Sequence, residues 1–220
     1  AGTAYWLGLL DLAEAPQREA MGLFKQELGD EHPDTLISIS NMGRLLEDQG
    51  RLSEAEALYR GALEASRRVH GDEHPNTLNA INNMAWLLKA QGKLYEAEAH
   101  YREVLEARRR TLGNEHPDTL SSINNMGALL QDLGRPSEAE ALYREALEAR
   151  RRTLGNEHPG TLIAINNMGV LLDDLGRLAE AEALYREALE ASRRTLGDEH
   201  PDTLSMIINV GSLLKDLGRL

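Results

Sequence analysis

Histidine is the residue type in this chain that most invites a chemical reading. His32, His74, His116, His158 and His200 stand 42 residues apart, each inside a Glu-His-Pro triplet. Imidazoles at repeated positions suggest a metal centre, but a shared site needs ligand atoms about 2 Å from the ion. Copies of one folded unit made of packed helices, with axes ~8–10 Å apart, hold equivalent histidines too far apart to converge. Their expected work is local. Each His-Pro pair ends a loop and starts a helix, with Asp118 or Asp202 favourably placed in the first turn. His70 and His100 occur singly and read as surface residues. The 36 acidic residues follow the same period, so no two stand out as a general acid and base. The chain has no cysteine, which removes a thiolate metal site, a disulfide framework and a cysteine nucleophile. It shows no glycine-rich phosphate loop and no serine–histidine–aspartate arrangement. No catalysis, metal or cofactor is expected.

The charged residues exclude further classes. Net charge is −12 and the isoelectric point is about 5.1, which disfavours a binder of phosphate backbones. The runs Arg108–Arg110 and Arg150–Arg152 lie four residues after glutamates, as in Glu98–Arg102, Glu106–Arg110, Glu140–Arg144 and Glu148–Arg152. Such pairs stabilise a helix by ~0.2–0.5 kcal/mol each, so the runs read as a solvated, paired outer face. No aromatic side chains accompany them, and no nucleic acid is expected as a partner. No stretch approaches the ~18 apolar residues of a membrane helix. Ala1–Leu10 lacks the basic segment of a signal peptide, and a cytoplasmic location is expected. A start at Ala1 suggests a processed chain or a piece of a longer one. With aromatic residues at only 4%, the core must be built from Leu, Ala, Met and Ile.

These side chains need elements to hold them, and the elements repeat. Gly113–Leu154 and Gly155–Leu196 differ at only eight positions, among them Ser121/Ile163, Ala128/Val170, Gln131/Asp173 and Arg150/Ser192. A fixed period with near-identity marks one unit copied in tandem. Within a unit, Leu78, Ile81, Met84, Ala85 and Leu88 recur at helical spacing over Pro75–Gln91. Pro75 fits the first helical position and Gly92 the cap beyond the last. Leu94, Ala97, Tyr101, Val104, Leu105 and Ala107 give a second helix from Leu94 to about Arg110. The unit is therefore an antiparallel helix pair that buries its apolar stripe only by stacking on its neighbours. The expected fold is all-α, a right-handed superhelical solenoid of such pairs. Residues 29–220 form the tandem array, ending in an unpaired first helix over Pro201–Leu217. Residues 1–28 read as a degenerate N-terminal unit with two short helices, Ala4–Ala13 and Pro16–Leu28.

Gly127, Leu130, Gly134, Ala139, Tyr143 and Ala146 resemble the signature of the tetratricopeptide repeat. The set recurs as Gly43, Leu46, Gly50, Ala55, Tyr59, Ala62 and as Gly169, Leu172, Gly176, Ala181, Tyr185, Ala188. The usual repeat has about 34 residues. A period of 42, with Asn-Asn-Met-Gly, Glu-Ala-Glu-Ala-Leu-Tyr and Leu-Gly-Asn-Glu-His-Pro, is similar to the kinesin light chain type. The resemblance covers Gly29–Leu220. It implies that first helices line a concave surface, that this surface binds extended peptides, and that asparagines there take the peptide main chain.

Helix geometry selects the same face. At 100° per residue, Asn79, Asn82, Asn83, Trp86, Lys89 and Ala90 fall on the side opposite Leu78, Ile81, Met84, Ala85 and Leu88. The amide columns are Asn41, Asn83, Asn125, Asn167 and Asn209, with Asn82, Asn124 and Asn166 beside them. A carboxamide both donates and accepts, so a column of them can pair with an extended main chain, or else with the helix of the next unit. The flanking columns vary from copy to copy. They are Ile37, Asn79, Ser121, Ile163, Ser205; Arg44, Trp86, Ala128, Val170, Ser212; and Glu47, Lys89, Gln131, Asp173, Lys215. A constant main-chain reader with variable neighbours suits a sequence-selective groove; drift on a solvent face gives the same pattern. Trp86 either meets a ligand or covers a junction between units.

The leading expectation is a protein–protein interaction scaffold that binds a protein or peptide in the asparagine-lined groove through Asn79, Arg44, Trp86, Lys89 and the amide columns. The mixed-to-acidic groove favours a neutral or basic ligand. Two alternatives are a regulatory repeat segment of a larger ATPase and a self-associating array that pairs end to end through residues 201–217.

Overall fold

A computed structural model describes residues 2–218, and the described residues form ten α-helices without strands. They are α1 (Gly2–Leu28), α2 (Pro33–Asp48), α3 (Leu52–His70), α4 (Pro75–Ala90), α5 (Leu94–Leu112), α6 (Pro117–Asp132), α7 (Pro136–Leu154), α8 (Pro159–Asp174), α9 (Leu178–Leu196) and α10 (Pro201–Asp216). The chain divides into two compact units, residues 1–111 and 112–220. In the first, α2 packs on α1, α3 and α4; in the second, α8 packs on α6, α7 and α9, and α10 on α9.

The Glu-His-Pro triplets are helix starts. Proline takes the first helical position of α2, α4, α6, α8 and α10, where its missing N–H removes no helical bond. The preceding histidine caps the helix. Its Nδ1 accepts the backbone N–H two residues on, at 3.2 Å from Asp34, Asn76, Asp118 and Asp202 and at 3.0 Å from Gly160. The second helices stop where the chain must enter a left-handed turn, as at Gly155 with φ 87°.

The core lies between successive helix layers. In the first unit, Leu78, Ala80 and Ile81 of α4 meet Leu63 of α3 and Val104 and Ala107 of α5. In the second, Leu162 and Ile165 of α8 meet Leu147 of α7, Ala188 and Ala191 of α9, and Met206 of α10. Full burial of each such aliphatic side chain contributes about 1.5–3 kcal/mol. The small first-helix residue of the repeat makes room for the second-helix tyrosine. A Cβ on Gly43, Gly127 or Gly169 would lie 2.5, 2.6 or 2.6 Å from Cε1 of Tyr59, Tyr143 or Tyr185.

The N-terminal segment differs from the sequence expectation. It is one helix rather than two, with Pro16 inside α1. Pro16 is exposed, so the carbonyl left without its helical N–H faces water and the break is tolerated. The segment is in register with the second helices. Glu14 accepts from Gln49 and Arg51 as Glu56, 42 residues later, accepts from Gln91 and Lys93. The side chains of residues 1–11 lie outside the described set.

Candidate functional site

The first helices carry the expected face. Leu78, Ile81, Met84, Ala85 and Leu88 are buried, whereas Asn82, Asn83 and Lys89 are half-buried and Asn79 and Trp86 exposed. The same split holds for Asn41 on α2, Asn124 and Asn125 on α6, Asn166 and Asn167 on α8, and Asn209 on α10, all half-buried. The variable columns between them hold apolar side chains open to solvent: Ile37 at 54%, Trp86 at 52%, Ile163 at 51% and Val170 at 36% exposure. Exposed large apolar groups rimmed by polar side chains mark interaction surfaces.

The amides also bond each other and the scaffold. Asn209 Nδ2 donates to Asn166 Oδ1 at 2.7 Å, joining the column of Asn83 on α10 to the column of Asn82 on α8. Asn41 Oδ1 accepts from Arg44 at 3.1 Å. Asn79 Oδ1 accepts from Arg108 at 2.7 Å. With its oxygen turned toward Arg150, Asn124 accepts from both guanidinium nitrogens at 2.9 and 3.1 Å.

A second cluster links α2 and α4. The Tyr59 hydroxyl donates to Glu47 Oε2 at 3.3 Å, and the Trp86 indole N–H bonds the same carboxylate. Burial holds the Glu47 carboxyl above the usual carboxylate value of 4.5, and the Tyr59 bond offsets only part of that. Lys89 Nζ stands 5.9 Å from the Trp86 ring centroid, within cation–π range. Trp86 thus spans the α2–α4 junction and keeps half its surface in solvent. Tyr143 on α7 is the equivalent of Tyr59; its hydroxyl lies 2.7 Å from Gln131 Oε1 on α6, and burial pushes its pKa up to about 12.

The arginine runs depart from the sequence reading. Arg108 and Arg150 are only 7% and 8% exposed and point at the first helices, not at solvent. Arg150 follows Ala146 by four residues and Leu147 by three, which sets it on the buried stripe. Its other hydrogen bond reaches the Gly160 carbonyl on α8 at 2.9 Å. Its acceptors among the described residues are therefore neutral, and burial holds its pKa below the usual arginine value. The column reads Ser66, Arg108, Arg150, Ser192, and the serines were the signal that it faces inward. The third arginines of the runs do lie outside. Arg110 pairs with Glu73 and Arg152 with Glu115, each one helix end away, at 2.5 Å.

Two clefts open between first helices. The α2–α4 cleft has a volume of about 250 Å3 and is lined by Ile37, Ser40, Asn41, Asn76, Asn79 and Asn83 over a floor of Ala62 and Ser66. The α8–α10 cleft is smaller, about 100 Å3, and more apolar, with Leu162, Ile163, Leu196 and Met206 in its wall. No group of three or more His, Cys, Asp or Glu among the described residues could hold a metal ion.

Within each unit, helix pairs whose first helices carry half-buried amides and exposed apolar side chains define a helical-repeat array. The tetratricopeptide repeat profile matches residues 1–60, 39–110, 87–152, 120–194 and 164–220, and the chain belongs to the tetratricopeptide repeat family. Its repeats are of the kinesin light chain type. BtubC (BKLC) of P. vanneervenii superposes with a TM-score of 0.77 at 24% identity, over 96% of this chain and 83% of that one. A kinesin light chain-type array of nearly identical TPR-like repeats from Podosopora anserina gives 0.73 at 26% identity, over 86% and 89%. Its Q17M variant gives 0.74 at 25%. No curated protein matches at a significant level. Repeats of this family mediate protein–protein interaction. No described helix is long and apolar enough to cross a membrane.

Proposed function

We propose that the chain is a cytoplasmic, non-catalytic scaffold that binds extended peptide segments across its first-helix face. Residues 29–220 supply the array and residues 1–28 a degenerate leading unit. Asn41, Asn83, Asn125, Asn167 and Asn209, with Asn82, Asn124 and Asn166, read the peptide main chain. Asn79, Arg44, Trp86 and Lys89 select its side chains. One observation carries this reading: a constant half-buried amide column borders exposed apolar side chains whose type changes from repeat to repeat. Amides give affinity without selectivity and the variable neighbours give selectivity, which is how extended-peptide grooves divide the task. The net charge of −12 favours a neutral or basic ligand.

The test uses 12-residue peptides selected from a random display library against the intact chain. Asn125→Ala with Asn167→Ala is expected to weaken the selected peptides about tenfold or more, the loss of two or three hydrogen bonds, with little change in the melting profile. Unchanged binding together with much earlier melting would show that the amides serve the stack.

A further inference from the structure

The α2–α4 cleft is the vacated form of a place that the protein fills elsewhere with its own arginine. Between α6 and α8, Arg150 on α7 sends its guanidinium to the Asn124 carboxamide and to the Gly160 carbonyl. Two repeats earlier, the equivalents of Arg150, Asn124 and Gly160 are Ser66, Ser40 and Asn76. All three line the α2–α4 cleft of about 250 Å3. Ser66 is 2% exposed. We infer that this cleft receives an arginine side chain of a peptide ligand, bound where Arg150 binds in cis. The inference rests on the reading of the first-helix face as the binding face and names the residue class that the face selects.

The acceptors favour a guanidinium. Asn41 and Asn79 in the same walls already take guanidinium N–H groups, from Arg44 and Arg108. Ser40 donates its hydroxyl hydrogen to the Leu36 carbonyl, which leaves its oxygen as an acceptor facing the cleft. The Asn76 and Asn83 carboxamides add two more oxygens. These are neutral acceptors spread around a cavity, a set that suits a planar fork of five donors better than a compact, strongly hydrated ammonium. The α8–α10 cleft also has serine in the column, but Ser192 is bonded to Thr203 at 2.7 Å and the Asn166 oxygen is taken by Asn209. At about 100 Å3 that cleft also offers less room than the α2–α4 cleft.

The experiment is a 1H–15N titration of the whole chain with N-acetyl-arginine amide, and in parallel with the lysine and glutamate analogues. The arginine probe is expected to give saturable shifts at Ser40, Ser66 and Asn76, at about tenfold lower concentration than the lysine probe. Ser66→Arg places a tethered guanidinium in the cleft and abolishes those shifts, with a melting temperature no lower than that of the parent. Arg150→Ser, shown by circular dichroism to keep its helix content, gains a second set of saturable shifts at Asn124 and Gly160. Equal response to lysine or glutamate, saturation that survives Ser66→Arg, or no second set in a folded Arg150→Ser chain would each overturn the inference. Absence of any arginine response also overturns it, and leaves the peptide-face reading to be judged on Asn125 and Asn167 in the other unit.

Discussion

Gly127→Ala tests the packing rule that holds the face in place. The new Cβ would stand 2.6, 2.9 and 3.0 Å from Cε1, Cζ and Cδ1 of Tyr143. Carbon atoms settle at about 3.5–4.0 Å, so the ring must retreat by about 1 Å. Tyr143 is 3% exposed, and its hydroxyl is held at 2.7 Å by Gln131, so the retreat strains that bond. Overpacking of this kind costs about 1–3 kcal/mol. Replacing a mid-helix glycine by alanine returns about 1 kcal/mol of helix propensity. The net expectation is about 1 kcal/mol of destabilisation. Gly211 occupies the same column on α10, and a Cβ there meets nothing within 4 Å. Gly211→Ala should therefore stabilise by about 0.5–1 kcal/mol. Native-state hydrogen exchange at α6, α7 and α10 reads the two variants locally, which matters because a repeat array need not unfold as one unit. If Gly127→Ala stabilises α6 and α7 as much as Gly211→Ala stabilises α10, the glycine is not there for the ring and the reasoning fails. Ala85 of α4 occupies this column 16 residues before Tyr101 of α5, as Gly127 precedes Tyr143, so one repeat has accommodated the methyl group.

Three further outcomes follow from the geometry. His116→Ala removes the acceptor for the Asp118 N–H and should lower the stability of α6 by about 1 kcal/mol, as followed by local exchange, while His116→Asn restores most of it. Arg152→Ala breaks an exposed pair with Glu115, and the stability change read from urea unfolding should stay within about 0.5 kcal/mol and shrink in high salt. Arginine hydrogen bonds hold the Glu54 and Glu180 carboxyls below the usual 4.5, and Glu56 is lowered chiefly by its bond to Gln91. A depressed folded pKa stabilises the fold above the unfolded value and the benefit fades as pH falls toward the folded one. Melting temperature should therefore be flat above about pH 5 and drop below about 4.5, a shape that single Gln replacements at these sites should blunt.

Much of the fold was legible because the repeat supplies its own alignment. The 42-residue period, the His-Pro starts and the apolar stripe of Pro75–Gln91 reappear as α2, α4, α6, α8 and α10, with ends within a residue or so of expectation. The N-terminal segment was misread because Pro16 looks like a break, and only the surroundings show that its face is exposed. The amide face was legible from angles alone. Its pairing was not, since a carboxamide bonds a ligand or a neighbouring helix with equal ease, and Asn209–Asn166 is a contact between residues 43 apart. The buried arginines were missed because charge was weighed before position. Arg108 and Arg150 share a helical stripe with alanines and leucines, and the serines at 66 and 192 mark that stripe as interior.

The central claim is that the half-buried carboxamides of the first helices meet the main chain of an extended peptide. A crystal structure of the chain with a library-selected peptide tests it most directly. The account predicts the peptide lying across α6 and α8, with Asn125 and Asn167 within 2.7–3.2 Å of its backbone N–H and C=O groups. A peptide seated on the second helices, or one that leaves every one of these amides bonded only to neighbouring helices, would contradict it.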